Sequence, residues 1–355
     1  MRIGLAYNQK PETGHRDRGA HSPPLSPDTF AEWDEPATID AVERALRAFG
    51  NVVRLEAVAD FPARLAAAKV DLLFNMAEGW SGPNREAHVP AIAEFLGVPY
   101  TASDPLALTL ALHKGRAKEV LAYRGIPTAP FVVLTGDADL PRLDALPPPL
   151  FLKPVWEGSS KGIDEGSYAS DVAQARQRAR ALLEQYDQPV LAECWLPGDE
   201  FTVAVMGNGA DAHCLPLIRF RFESLPGGAL PIMGYEAKWL WDRPEQPLDV
   251  LECPAAVSDA RARAVADTAL AAYHALGCRD WARVDLRLDA AGVPNIVEVN
   301  PLPGIIPDPA DNSCFPRAAA AAGMSYDELI QSVVRIAWKR ITGREPAAAP
   351  VEAIA

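Results

Sequence analysis

Long apolar runs are missing from this sequence. None approaches the roughly 20 residues that a membrane-crossing helix needs. The opening Met1–Tyr7 is too short for the apolar core of a secretion signal and reads as a first strand. Cysteine is scarce, with five in 355 residues, and Cys194, Cys214, Cys253, Cys278 and Cys314 are scattered. They form no CxxC pair and no Cys/His ligand spacing, which excludes a disulfide scaffold and a zinc module. A reducing cytoplasm is the expected setting, with most of them as small core residues. Basic charge is also short. Lys and Arg number 34 against 47 Asp and Glu, a formal net charge of −13. That sign disfavours non-specific binding to nucleic acid or anionic membrane. It leaves room for a nucleotide held by a local cluster of cations. There is no internal repeat. What remains is ordinary for a globular protein, 49% hydrophobic and 23% charged, and long enough for two or three domains.

The most informative stretch is Arg283 to Gly304, RVDLRLDAAGVPNIVEVNPLPG. Val284, Leu286 and Leu288 alternate with charged residues, and a second alternating run covers 296–300. Ala291-Gly292 supplies a turn, so the pattern predicts an antiparallel hairpin. Pairing would bring Asp285 close to Glu298, with Asn300 on the same face as Glu298. Two carboxylates and an amide oxygen suit a hard cation, Mg²⁺ or Mn²⁺, that also touches substrate phosphates. A solvated acidic face fits the same spacing.

The first hundred residues alternate strands with helices and predict a small parallel α/β domain. Strands are expected at 2–7, 52–55 and 71–75, and helices at 38–49 and about 86–96. Ligands bind beyond the C-terminal ends of such strands, which points to 7–10 and 75–85. A long Pro, Gly and His-rich loop covers 9–36. Asp104-Pro105 begins a helix carrying Lys114 and Lys118. Pro141–Pro149 is a connection without a strand. The strand 150–154 runs into Val155–Ile163, whose two glycines and two serines suit a phosphate-covering loop or a plain hairpin loop. Helices are expected at 171–186 and 258–276. A last helix starts at a capping box, Ser325 with Glu328. The Ala/Pro-rich tail from Glu345 is expected to be disordered.

Several separated pieces follow one order. Lys114 lies on a helix, and Lys153 precedes Gly158-Ser159-Ser160. Glu193-Cys194-Trp195-Leu196 comes next, then Gly198-Asp199-Glu200, Glu236-Ala237-Lys238, Arg283-Val284-Asp285 and Glu298-Val299-Asn300-Pro301. This order resembles the ATP-grasp enzymes and, within them, the D-alanine–D-alanine ligase family. The likeness covers about 73–336.

The resemblance implies a mixed α/β and α+β chain, an ATP-grasp fold behind an N-terminal parallel α/β domain. The expected units are residues 1–103, a lid domain over 104–192, a catalytic domain over 193–344 and a tail over 345–355. ATP and Mg²⁺ (or Mn²⁺) are the implied cofactors. Lys114 and Lys153 match the phosphate-holding lysines. Glu193 would bind the adenine amino group, Trp195 and Leu196 the purine edge through their backbone, and Glu200 the ribose. Lys238 would reach the terminal phosphate. Asp285, Glu298 and Asn300 would carry the metal, and Arg283 would stabilise the charged intermediate. Ser159 matches the covering-loop serine, and Ser313 the serine that contacts the second substrate's carboxylate. Read singly, the lysines also fit surface positions, the two glutamates solvated strand ends, Arg283 a structural ion pair, Trp195 packing and Ser159 a turn.

The departures concern substrate sites. The family's Gly-rich turn and Glu after the first strand are replaced by the Pro/His loop. Glu32 or Glu35 is the substitute for that ammonium-binding Glu, and Glu35 is the residue selected; a plain helix-start carboxylate is the alternative. Asn75–Trp80 replaces a His-Gly-rich loop. Trp239 stands where the family has Tyr or Phe. The connection 304–316 is a few residues longer. Lys161 adds a charge in the covering loop, able to bind an extra carboxylate or simply to be solvated.

The expected function is a cytoplasmic ATP-dependent ligase joining a carboxylate to an amine through an acyl phosphate. A relative making another dipeptide or amide, a non-catalytic nucleotide binder and a phosphotransferase are the alternatives. Small-molecule substrates are the expected partners, with no nucleic acid and no membrane, and a homodimer is the candidate assembly.

Overall fold

The computed structural model describes residues 1–11, 30–237, 241, 248–308 and 311–346. Three parallel strands open the chain: β1 (Arg2–Tyr7), β2 (Asn51–Glu56) and β3 (Leu72–Asn75), in the order β2-β1-β3. From Ile3 onward β1 is buried on both faces, and so is all of β3. That is why these strands read as continuous apolar runs rather than as alternations. Helices α1 (Pro36–Leu46), α2 (Phe61–Ala68) and α3 (His88–Phe95) accompany the sheet. The strand ends converge as the parallel rule predicts. Gly79 N–H, in the turn after β3, donates to Asn8 Oδ1 beyond β1 at 2.8 Å. Gly79 has φ +79°, and a Cβ there would collide with the Arg85 carbonyl, so only glycine suits this turn.

Asp104 caps α4 (Pro105–Leu112) by accepting from Ala107 N–H at 2.9 Å. The helix then breaks at His113, whose Nδ1 accepts from Arg116 N–H at 3.2 Å and starts α5 (Lys114–Tyr123). Both lysines therefore ride on α5. Its Ala117 and Leu121 pack into the core under the later hairpin.

The second sheet is antiparallel, in the order β4 (Phe131–Leu134), β7 (Val190–Cys194), β5 (Leu150–Pro154), β6 (Tyr168–Ala169). Ala175, Ala179 and Leu182 of α6 (Val172–Tyr186) bury against its core. Residues 137–145 form 3-10 turns and no strand, in keeping with Pro141.

The third sheet runs β11 (Leu251–Glu252), β10 (Ile218–Phe220), β8 (Glu200–Met206), β12 (Trp281–Leu288), β13 (Pro294–Asn300), with β9 (His213–Cys214) paired to β8. The β12–β13 hairpin forms with Asp285 opposite Glu298, and a bulge follows between Asp285 and Leu286. Alternation sorts β12. Val284, Leu286 and Leu288 are buried in one core with residues of α7 (Asp259–Ala275). Arg283, Asp285 and Arg287 face a cavity. Helices α8 (Cys314–Ala321) and α9 (Tyr326–Thr342) close the chain, α9 behind the Ser325/Glu328 capping box. No described helix is long and apolar enough to cross a membrane.

Candidate active site

A cavity of about 380 Å³ lies between the second and third sheets. Lys153, Glu193, Trp195, Leu196, Glu200 and Arg287 line it on one side. Arg283, Asp285, Glu298, Asn300 and Ser313 also line it, and the loop Glu157–Ser160 borders it.

Glu193 is the penultimate residue of β7, with a lysine beside each oxygen. Lys118 Nζ stands 2.6 Å from Oε2 and Lys153 Nζ 2.9 Å from Oε1. Burial alone would push the Glu193 carboxyl up, but the two ammonium groups outweigh it and hold it at about 2. Lys118 is itself fully buried. Beside its ion pair with Glu193 it donates to Thr128 Oγ1 at 2.6 Å and to the Ile296 carbonyl at 3.3 Å. This side of the cavity thus presents an ionised acceptor that cannot swing away.

Glu200 opens β8 and receives Arg287 Nη1 at 2.9 Å, which also donates to the Pro231 carbonyl at 2.9 Å. The guanidinium lies 4.2 Å from the centre of the Trp195 ring, a cation–π stack. Trp195 N–H donates to the Pro149 carbonyl at 2.9 Å. Of the backbone groups at 195–196, a ligand edge is therefore left with the Trp195 carbonyl and the Leu196 N–H and carbonyl.

On the hairpin, Arg283 binds Asp285 through Nε at 3.0 Å and Nη2 at 2.8 Å. Thr202 Oγ1 donates to Asp285 Oδ1 at 2.5 Å, and Asn300 Nδ2 to Asp285 Oδ2 at 3.1 Å. Glu298 pairs with Lys114 Nζ at 2.8 Å, and Lys114 also donates to the Glu157 carbonyl. The predicted pairing thus brings Asp285, Glu298 and Asn300 to one oxygen-rich wall of the cavity. The chemistry of this set, two carboxylates and an amide oxygen, suits a hard divalent cation.

The covering loop is closed over the cavity by contacts that the sequence did not reveal. Glu32 Oε1 accepts from Gly158 N–H at 2.9 Å, and Lys161 Nζ reaches Glu32 Oε2 at 2.9 Å. Arg85 grips both Glu32 oxygens with Nη2 at 2.7 and 3.0 Å and donates from Nη1 to the Trp156 carbonyl at 2.8 Å. Lys161 also meets Glu157, whose Oε1 accepts from Gln188 Nε2 at 2.8 Å. Ser159 and Ser160 have φ +49° and +61°, left-handed backbone that only a well-held loop sustains. Ser160 Oγ donates to the Met233 carbonyl at 2.7 Å.

A family model described as "D-ala D-ala ligase C-terminus" matches residues 120–335. The chain belongs to the D-alanine–D-alanine ligase family. A D-alanine–D-alanine ligase of Bordetella petrii is 40% identical over 273 residues, 77% of each chain. A protein of Sinorhizobium fredii described as "Uncharacterized protein y4sG" is 32% identical over 354 residues, 97% of this chain and 98% of that one. The structure of the Bacillus anthracis D-alanine–D-alanine ligase superposes with a TM-score of 0.72 at 24% identity, over 96% of this chain and 98% of that one. The same enzyme complexed with ATP gives 0.69 at 22%. The fold is ATP-grasp, and the protein is a ligase that forms a carbon–nitrogen bond.

Against the family's pattern, the cavity gathers Lys153, Ser159, Glu193, Trp195, Leu196, Glu200, Arg283, Asp285, Glu298, Asn300 and Ser313, with Lys114 behind Glu298. Ser313 Oγ accepts from Ile306 N–H at 3.1 Å and donates to the Gly304 carbonyl at 3.4 Å, so it also shapes the long connection. Glu35 does not reach the cavity. Its side chain is 61% exposed and pairs with Lys10 at 3.1 Å. Of the two, Glu32 is the one turned to the covering loop, where it accepts from Gly158 N–H, while Glu35 stands at the start of α1 and faces water. Lys161 is neither solvated nor open to a ligand carboxylate, since Glu32 and Glu157 neutralise it. Lys238 and Trp239 lie outside the described residues.

The sequence reading assigned no role to Lys118, Arg287, Arg85 or Gln188. Lys118 had a signal, one helical turn after Lys114. Arg287 had one too, as a charged residue on the polar face of β12. Arg85 and Gln188 carried none.

Proposed function

We propose that this ligase transfers the γ-phosphoryl group of ATP to the carboxylate of an amino acid and passes the resulting acyl group to an amine. The observation that carries the reading is the single cavity in which the Glu193 and Glu200 side meets the Arg283, Asp285 and Glu298 wall. In this reading Glu193 and the Leu196 N–H hold the adenine, Glu200 the ribose, and Lys114 and Lys153 the phosphates. Asp285, Glu298 and Asn300 would hold Mg²⁺, which when bound offsets charge on the transferring phosphoryl group.

The carboxylate attacks phosphorus, ADP leaves, and an acyl phosphate forms. An amine then adds to the acyl carbon. Arg283 stabilises the oxyanion that develops, and phosphate departs with the amide formed. The covering loop keeps water from the acyl phosphate, which would otherwise hydrolyse. Residues 1–103 would receive the first substrate, 104–192 act as the lid and 193–344 carry the chemistry. The setting we infer is cytoplasmic, with a homodimer as the assembly to test by light scattering.

D-Alanine with D-alanine is the first pair to test, because the relatives of Bordetella are so named. A different dipeptide or amide is the second reading, favoured by the replaced turn at Asn75–Trp80 and the neutralised Lys161. The test is phosphate release from ATP and Mg²⁺ across D- and L-amino acids, singly and in pairs, with mass spectrometry of products. A dipeptide or amide formed in step with phosphate supports the reading. Phosphate transfer onto an acceptor without amide formation refutes it.

A further inference from the structure

The described residues of the long connection, 304–308 and 311–316, form a folded wall rather than a slack loop. Asp311 N–H donates to the Asp308 carbonyl at 3.1 Å, and Ser313 N–H to the Asp311 carbonyl at 2.8 Å. Ser313 Oγ accepts from Ile306 N–H at 3.1 Å, which folds the stretch back on itself. Neighbouring segments pin it from outside. Asn312 Nδ2 donates to the Leu248 carbonyl at 3.1 Å, and Arg317 Nη2 to the Leu251 carbonyl at 3.3 Å. Tyr326 Oη donates to the Ile305 carbonyl at 2.7 Å.

This wall belongs to the cavity. Gly304, Ile306, Asp311, Asn312, Ser313 and Cys314 line it, just past Asn300 at the end of β13. In the proposed reading the nucleotide takes the Glu193 and Glu200 side. Arg283 and the wall 304–314 are then left for the acyl carbon and for the amine that attacks it.

The charges on that wall select what can enter. Among the described residues the lining cations are Lys153, Arg283 and Arg287. Each already pairs with a carboxylate at 2.8 or 2.9 Å: Glu193, Asp285 and Glu200 in turn. Ser313 is only 9% exposed, and its one hydroxyl proton goes to the Gly304 carbonyl at 3.4 Å. Asp311 adds a carboxylate to the wall, and it is exposed, so a substrate in the cavity can reach it. An acceptor with a cationic side chain gains a charge-assisted partner there. An acceptor with an acidic side chain meets like charge instead.

We propose that Asp311 selects the acceptor, and that the acceptor carries a cationic group besides the reacting amine, as a diamino acid does. This rests on the proposed ligase reading and names the substrate class of that same site. The side-chain ammonium stands against Asp311. The free amine forms the C–N bond to the acyl carbon, the C–O bond to phosphate breaks, and the amine gives up a proton to solvent.

The experiment holds ATP, Mg²⁺ and the activated amino acid found by the phosphate-release panel at saturation. The acceptor is varied among alanine, 2,3-diaminopropionate and aspartate, each in D and L form. The mixed amide is measured by mass spectrometry alongside phosphate. In the wild type, kcat/KM for diaminopropionate should exceed that for alanine about ten-fold or more, with aspartate lowest. Asp311→Asn should bring diaminopropionate within about two-fold of alanine, and Asp311→Lys should lift aspartate above diaminopropionate. The ATP KM should stay within about two-fold, and thermal midpoints should hold, because the side chain is exposed. A wild type that prefers alanine overturns the inference, and so does an Asp311→Asn variant that keeps the wild-type ratio. A loss shared equally by all three acceptors marks a structural role and overturns it too. Phosphate released with no amide from any acceptor overturns the ligase reading itself, and this inference with it.

Discussion

Lys118 and Lys153 hold opposite oxygens of one carboxylate, Glu193, at 2.6 and 2.9 Å. Lys118 comes from α5 and the other two from the second sheet, so the trio also ties α5 to that sheet. Removing one member leaves a buried charge short of a partner. Lys118→Met should cost about 3–5 kcal/mol of stability and raise the ATP KM. Urea denaturation and ATP saturation kinetics check both. An ATP KM that stays put in a destabilised protein would confine Lys118 to structure.

The pair Arg287–Glu200 makes a related prediction. Arg287→Met keeps much of the volume but frees Glu200 and empties the position over Trp195. The ATP KM should rise about ten-fold, while the amino acid KM changes little. Equal effects on both substrates would argue against a nucleotide role for this corner.

Glu298→Gln removes one carboxylate from the oxygen wall and the partner of Lys114. Turnover should fall about a hundred-fold or more, and the Mg²⁺ concentration needed for half-activity should rise. Circular dichroism should stay native. Near-normal turnover would remove Glu298 from the metal site.

The latch on the covering loop predicts a coupling defect. Lys161→Met loosens the loop from Glu32 and Glu157, so water should enter before the amine does. The ratio of phosphate released to amide formed should rise above one, with the ATP KM nearly unchanged. A ratio that stays at one would mean the loop closes without Lys161.

Glu32 also predicts a pH dependence. Burial would raise its carboxyl, but Arg85 and Lys161 prevail and bring it to about 2, against 4.5 in an unfolded chain. The folded state therefore stays ionised where the unfolded chain takes a proton. This stabilisation is complete above about pH 4.5 and is lost as pH falls towards 2. Urea midpoints of the wild type should fall more steeply across that window than those of Glu32→Gln. Parallel slopes would contradict the latch.

Much of this architecture was legible along the chain. Asp104 and the Ser325/Glu328 box mark helix starts because a cap bonds within three residues. The hairpin's alternation and its Ala291-Gly292 turn set which residues oppose each other, so Asp285 against Glu298 followed from local pattern alone. The break at His113 was not legible, because an imidazole cap replaced the usual Ser or Asp.

The sequence by itself thus determined the N-terminal strands, several helices and the oxygen set on the hairpin, and, by the order of its motifs, the family, while α2, α8 and β4 were not read from it. What it determined rests on signals carried by spacing between near neighbours. Only the tertiary structure decided the partners. Glu32 meets Gly158 and Lys161 across 126 and 129 residues, and no periodicity encodes such a distance. It also decided that Glu35 faces water while Glu32 faces the loop. The physical reason is that charge pairing and burial belong to the packed molecule. A carboxylate looks the same in the chain whether four donors will surround it or none.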